Sequence, residues 1–202
     1  MRLRFKAFWI AALIASGAAS TPALSQSQSQ SQDAGWFIGA GGGIAKFRDG
    51  CPPVTPGLTC DDRGNAWKVF GGYQFNSYFG YEIAYGDFGK ITQTQVGVSS
   101  AILEGTTIDL LLVLTIPLSR EFGLYGKWGV ANWDVERTIT GMGAGSADAS
   151  GRDITFGFGM SYNVGKHIAL QLEWQRYNDI GDANFTGSSN VDLGSFRIVF
   201  RF

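Results

Sequence analysis

The sequence predicts an all-β chain in which eight antiparallel strands run up and down and close into a transmembrane β-barrel. Three observations carry that prediction. The chain opens with an export signal. It holds 29 glycines, 15 Phe, 7 Tyr and 6 Trp, yet no apolar run long enough for a spanning helix. And eight stretches alternate so that one face is apolar while the other mixes glycine with charge.

The export signal comes first. Arg2, Arg4 and Lys6 precede a short apolar stretch, Ala7 to Ala15, and Ala23 and Ser25 are small residues where a signal peptidase reads. The predicted signal is 1–25. A polar, repetitive leader, 26–34, follows it, and the barrel takes 35–202. Of the 16 Lys and Arg, three leave with the signal while all 17 Asp and Glu remain. The mature chain is therefore acidic, which argues against nucleic acid as a partner.

The strands follow in order. Gly35 to Phe47 places Trp36, Ile38, Ala40 and Ile44 on one face, with Phe37, Gly39, Gly41 and Gly43 opposite. Ala66 to Asn76 sets Trp67, Val69, Tyr73 and Phe75 against Lys68, Phe70, Gly72 and Gln74. Tyr78 to Phe88 sets Phe79, Tyr81, Ile83 and Tyr85 against Gly80, Glu82 and Ala84. Thr106 to Leu118 sets Ile108, Leu110, Leu112, Leu114 and Ile116 against a face with Asp109.

Phe122 to Trp133 sets Leu124, Trp128 and Val130 against Tyr125, Lys127 and Gly129. Asp153 to Asn163 sets Ile154, Phe156, Phe158, Met160 and Tyr162 against Thr155, Gly157, Gly159 and Ser161. His167 to Tyr177 sets Ile168, Leu170, Leu172 and Trp174 against Ala169, Gln171, Glu173 and Gln175. Ser195 to Phe202, "SFRIVFRF", closes the barrel, with Phe196, Ile198, Phe200 and Phe202 outward and Arg197 inward. A slip of one residue would carry its arginines into lipid, at roughly 2–4 kcal/mol each near the midplane.

The aromatic girdle is expected at Trp36, Trp67, Tyr73, Phe75, Phe79, Tyr162 and Trp174. Tight turns fall at Asn76-Ser77, Ser119-Arg120 and Gly165-Lys166, and long polar links at 48–65, 87–105, 134–152 and 178–190. Short turns on one side and long loops on the other imply both termini in the periplasm of a Gram-negative cell.

By parity Glu82, Lys127, Glu173 and Arg197 face the lumen, where two acids and two bases should pair; Lys68 and Asp109 are candidates to join them. Cys51 and Cys60 are the only cysteines, and an oxidising compartment favours a disulfide between them. "GAGGG", Gly39 to Gly43, lacks the ending of a phosphate loop and reads as small residues lining a narrow lumen. The one His, His167, falls at a short periplasmic turn, the rim opposite to the one where barrel enzymes acting on lipid A use a His with a Ser partner, so no catalytic residue, metal or cofactor is assigned.

Three segments carry a family resemblance. "VFGGYQFNSYFGYEIAY", Val69 to Tyr85, resembles the second hairpin of the outer membrane protein A transmembrane domain. "LYGKWGVANW", Leu124 to Trp133, resembles its fifth strand, and "IALQLEWQRYNDIGD", Ile168 to Asp182, its seventh. The resemblance fits best the small, barrel-only branch called surface antigens or "porin family" proteins. The founding member carries a peptidoglycan-binding domain after its barrel; here the sequence stops at Phe202, so cell-wall anchoring is not carried over.

The resemblance implies an outer-membrane location. It also implies that Glu82, Lys127 and Glu173, and less directly Arg197, plug the lumen, and that Phe202 with Phe200 forms the terminal signal read by the barrel-assembly machinery. Expected partners are periplasmic chaperones, that machinery, and outer-membrane lipid or lipopolysaccharide around a monomer. The expected role is structural and surface-exposed, without catalysis. The alternatives are a narrow channel for ions or small solutes and an adhesin acting through the loops.

Overall fold

The structure is a computed structural model that describes residues 34–48, 51, 58–95, 99–141, 143–182 and 188–202. The predicted signal peptide and nearly all of the leader lie outside the described residues. Nine strand segments follow: β1 Gly35–Phe47, β2 Leu58–Asp61, β3 Arg63–Gln74, β4 Phe79–Gln95, β5 Ser99–Pro117, β6 Phe122–Gly141, β7 Gly145–Asn163, β8 Ile168–Ile180 and β9 Ser189–Arg201. β2 and β3 lie end to end along β4 and make one wall. The result is an eight-stranded closed antiparallel barrel.

From β3 onward each strand pairs with the next, β1 pairs with β3, and β1 pairs with β9 from Phe37↔Arg201 to Phe47↔Val191, which closes the barrel; short β2 pairs on β4 alone. In hydrocarbon an unpaired edge would cost several kcal/mol per backbone group, so closure is what lets the strands cross a bilayer. The tight turns are closed by backbone bonds: Phe75 N–H to Phe79 carbonyl at 2.8 Å, Leu118 to Phe122 at 2.9 Å and Val164 to Ile168 at 3.0 Å.

Alternation decides which way each side chain points. Ile108, Leu110, Leu112, Leu114 and Ile116 of β5 stand exposed on the outer wall, while Thr107, Asp109, Leu111 and Val113 between them are buried inside. β9 behaves alike: Phe196, Ile198, Phe200 and Phe202 face out, and Arg197 and Val199 are buried. Of the expected girdle, Trp36, Trp67, Phe75, Phe79 and Tyr162 are exposed on the outer wall, with Tyr73 and Trp174 partly covered by neighbouring rings.

Two of the expected long links need correction. Most of 87–105 and 134–152 is strand, because β4 and β5 stay paired up to Gln95↔Ser99, and β6 and β7 up to Ile139↔Gly145. Polar outward residues such as Glu104 and Glu136 hid this, since beyond the bilayer the outer face is wet and need not be apolar. The β4–β5 ladder shifts register between Asp87 and Lys90. Gly89 sits there at φ +73°, its N–H bonded to the Asp87 carboxylate at 2.6 Å; a Cβ would meet the Asn65 backbone at 2.4 Å. Only glycine fits this bulge. Cys51 and Cys60 are joined, nine residues apart in sequence.

The outer wall yields a test. Leu112 is 58% exposed at mid-strand in β5. Leu112→Arg is expected to destabilise the folded barrel by about 2–4 kcal/mol in urea unfolding from lipid vesicles, whereas the inward change Val113→Thr should cost less.

Candidate functional site

Parity brings six charged side chains from six strands to the barrel axis, and the structure arranges them as two clusters. Lys127 of β6 donates to both oxygens of Glu82 on β4 at 2.8 Å and lies 2.6 Å from Oε2 of Glu173 on β8. Arg197 of β9 reaches Glu82 Oε2 at 2.6 Å and pairs with Glu173 through Nη1. All four are at most 5% exposed. Two cations against two carboxylates cancel, so no net charge is left in the narrow interior. That balance is the condition for burying ions at all.

Aromatic rings box the quartet in. The Arg197 guanidinium stacks 3.6 Å from the centre of the Phe70 ring, and Lys127 Nζ lies 5.3 Å from the Tyr125 ring. Tyr125 also donates its hydroxyl to Glu173 Oε2 at 3.1 Å. Small residues make the room: a Cβ on Gly41 would meet Arg197 Cγ at 2.7 Å, and one on Gly159 would meet the Tyr125 ring at 2.6 Å. The run Gly39 to Gly43 is thus wall for the arginine and phenylalanine.

The second cluster is built on Lys68 and Asp109. Lys68 Nζ donates to Asp109 Oδ2 at 2.8 Å, Gln175 Oε1 at 2.7 Å and the Tyr177 hydroxyl at 2.6 Å. Tyr177 donates in turn to Asp109 Oδ2 at 2.8 Å, and Gln175 to Thr155 Oγ1 at 2.8 Å. Lys68 and Asp109 therefore pair with each other rather than with the quartet. Gln175 and Tyr177 were not singled out from the sequence. Their strand parity faced them inward, but which residue lies across a lumen depends on barrel stagger, which one strand does not reveal.

The two mouths differ. At the loop end a buried apolar plug fills the bore: Phe47, Phe88, Trp133, Tyr177, Val191 and Leu193, among others, with Phe88 edge-on to Tyr177 at 4.8 Å. At the turn end a cavity of about 510 Å³ runs inward to Glu82 and Lys127 and is lined by Gln74, Ser161, Asn163 and Arg201. His167 sits at that rim, its Nδ1 3.1 Å from the Arg201 carbonyl oxygen. The cavity is a vestibule that stops at the quartet, and the plug lies beyond.

Breaking one partner of the quartet should cost more than removing a balanced pair. Lys127→Met leaves two carboxylates to share Arg197, one buried negative charge uncompensated, and is expected to destabilise the barrel by ~3–5 kcal/mol, while Lys127→Met combined with Glu82→Met should recover much of that loss. Equilibrium urea unfolding of the three proteins in vesicles measures the difference.

A family model described as the OmpA-like transmembrane domain matches residues 31–202. Outer membrane protein A of Shigella flexneri is 28% identical over 178 residues, covering 87% of this chain and 51% of that protein. Outer membrane protein A of Klebsiella pneumoniae is 29% identical over 140 residues, covering 66% of this chain and 40% of that protein. The chain spans about half the length, or less, of these relatives. Two solved structures share the fold at 12% identity, each covering 84% of this chain and 99% of that one. They are Neisserial surface protein A, with a TM-score of 0.61, and Ail, the attachment invasion locus protein of Yersinia pestis, with 0.59. On the family match, which runs from before β1 to Phe202, the chain belongs to the OmpA-like transmembrane domain family.

Proposed function

We propose that this outer-membrane barrel is a structural and surface-exposed protein whose lumen is closed at rest. The observation that carries the reading is the double seal: a neutral salt-bridge quartet in the middle and an apolar plug at the loop end. An ion entering the vestibule would have to displace Lys127 or Arg197 from its carboxylates and then cross a plug that offers it no ligands. Both steps are unfavourable.

In this reading the turn end, with both termini, faces the periplasm, and the β4–β7 extensions present residues outside the cell. The barrel works as a monomer without catalysis. Phe202 is the residue that the assembly machinery recognises during insertion in this reading, and its 75% exposure beyond the last strand supports that role. A stable wall held by dense internal bonding suits a role in envelope integrity.

Conductance in planar bilayers tests the proposal. The purified barrel is expected to give no sustained openings, and Lys127→Met alone should not produce them because the plug remains. Steady openings in the unmodified protein, abolished by changing Glu82 or Lys127, would instead support a channel.

A further inference from the structure

The vestibule at the turn end contains two polar groups that the barrel itself does not use. Ser161 of β7 and Gln171 of β8 stand directly opposite each other in the β7–β8 ladder, and both line the cavity. Neither Ser161 Oγ nor Gln171 Oε1 has a hydrogen-bond partner, although both atoms are buried and Ser161 is only 6% exposed. Buried polar atoms are nearly always paired, so two unpaired ones side by side need a reason.

Packing does not supply that reason. The adjacent inward pair, Ala169 of β8 and Val199 of β9, is apolar and buried. The wall accepts apolar side chains here, and two more would leave no oxygen without a partner.

The two residues lie one inward step short of the quartet, since Gln171 precedes Glu173 on the inner face of β8. Phe37, Val113, Tyr125 and Val199 give the cavity apolar walls, and Glu82 and Lys127 form its floor. Its volume of about 510 Å³ falls within the ~300–1,000 Å³ typical of small-molecule sites.

The chemistry of the pair selects the ligand. Gln171 Oε1 only accepts, whereas the Ser161 hydroxyl can donate. A carboxylate would be repelled by the Gln171 oxygen. An ammonium would find no carboxylate lacking a cation, because Lys127 and Arg197 already hold Glu82 and Glu173. A neutral group with one donor and one acceptor at fixed spacing satisfies both residues, and a secondary amide is such a group.

We propose that the vestibule binds a small uncharged molecule through a secondary amide, its N–H donating to Gln171 Oε1 and its carbonyl accepting from the Ser161 hydroxyl. The apolar part of the ligand rests against Tyr125 and Val199. A peptide unit and an acetamido sugar share this chemistry. The ligand stops at the quartet, so the site goes beyond the closed-lumen reading and holds whether or not the barrel conducts.

The full chain, isotope-labelled and folded in neutral detergent, is titrated by NMR in two arms. One compares N-acetylalanine methylamide with methyl O-acetyl-lactate, the same shape with each amide N–H replaced by oxygen. The other compares N-acetylgalactosamine with galactose. At least one amide is expected to give saturable shifts at Ser161 and Gln171 but not at Gly89, and to bind about tenfold tighter than its counterpart, roughly the worth of one buried hydrogen bond. The arm that shows the margin names the source. Ser161→Ala with Gln171→Met should abolish the margin and leave the urea midpoint unchanged or raised. No margin in either arm, shifts elsewhere than at 161 and 171, or an unchanged margin in the double variant overturns the proposal. A double variant that loses its heat-modifiable gel mobility overturns it too, because the two oxygens would then serve the barrel itself.

Discussion

Everything in this molecule depends on one constraint: backbone N–H and carbonyl groups inside a bilayer must be paired with each other. The pairing of β1 with β9 meets it, joining the two ends of the sheet so that no strand edge meets lipid. Closure in turn fixes what every side chain does. Alternate residues must face acyl chains or a narrow bore; along the apolar band the outward rows are apolar, while the inward face mixes small, charged and aromatic residues.

The bore of an eight-stranded barrel is too narrow for bulk water, so its contents must balance themselves. Three cations, Lys68, Lys127 and Arg197, meet three anions, Glu82, Asp109 and Glu173. Glycines at 41 and 159 leave the volume that Arg197 and Tyr125 occupy. The interior is a polar core in the same sense that a soluble protein has an apolar one. Its asymmetry, with a vestibule at the turn end and an apolar plug at the loop end, is what the proposed closed, structural reading rests on.

Much of this was legible from single residues. Period two assigns faces without knowledge of any partner, which is why the outward rows and the inward positions of Glu82, Lys127, Glu173 and Arg197 could be read directly. Strand ends toward the loops were not legible: Ile91 and Leu103 continue the inward face of β4 and β5, but outward neighbours such as Lys90, Thr92 and Glu104 are polar like a loop. Pairings across the bore were legible only as a charge balance. The links from Lys68 to Gln175 and Tyr177 depend on stagger, and Arg48, just past β1, meets Asp192 of β9 only on closure.

The outward orientation of the apolar rows is tested most directly by spin labels placed singly at positions 193 to 200 of the protein in vesicles. Relaxation by oxygen, which dissolves in lipid, and by a water-soluble nickel chelate is then compared. Labels at 196, 198 and 200 should be reached by oxygen and hidden from nickel, with 197 and 199 poorly reached by oxygen, a period of two along β9. A flat profile, or one in which 197 and 199 are the lipid-exposed positions, would contradict the account.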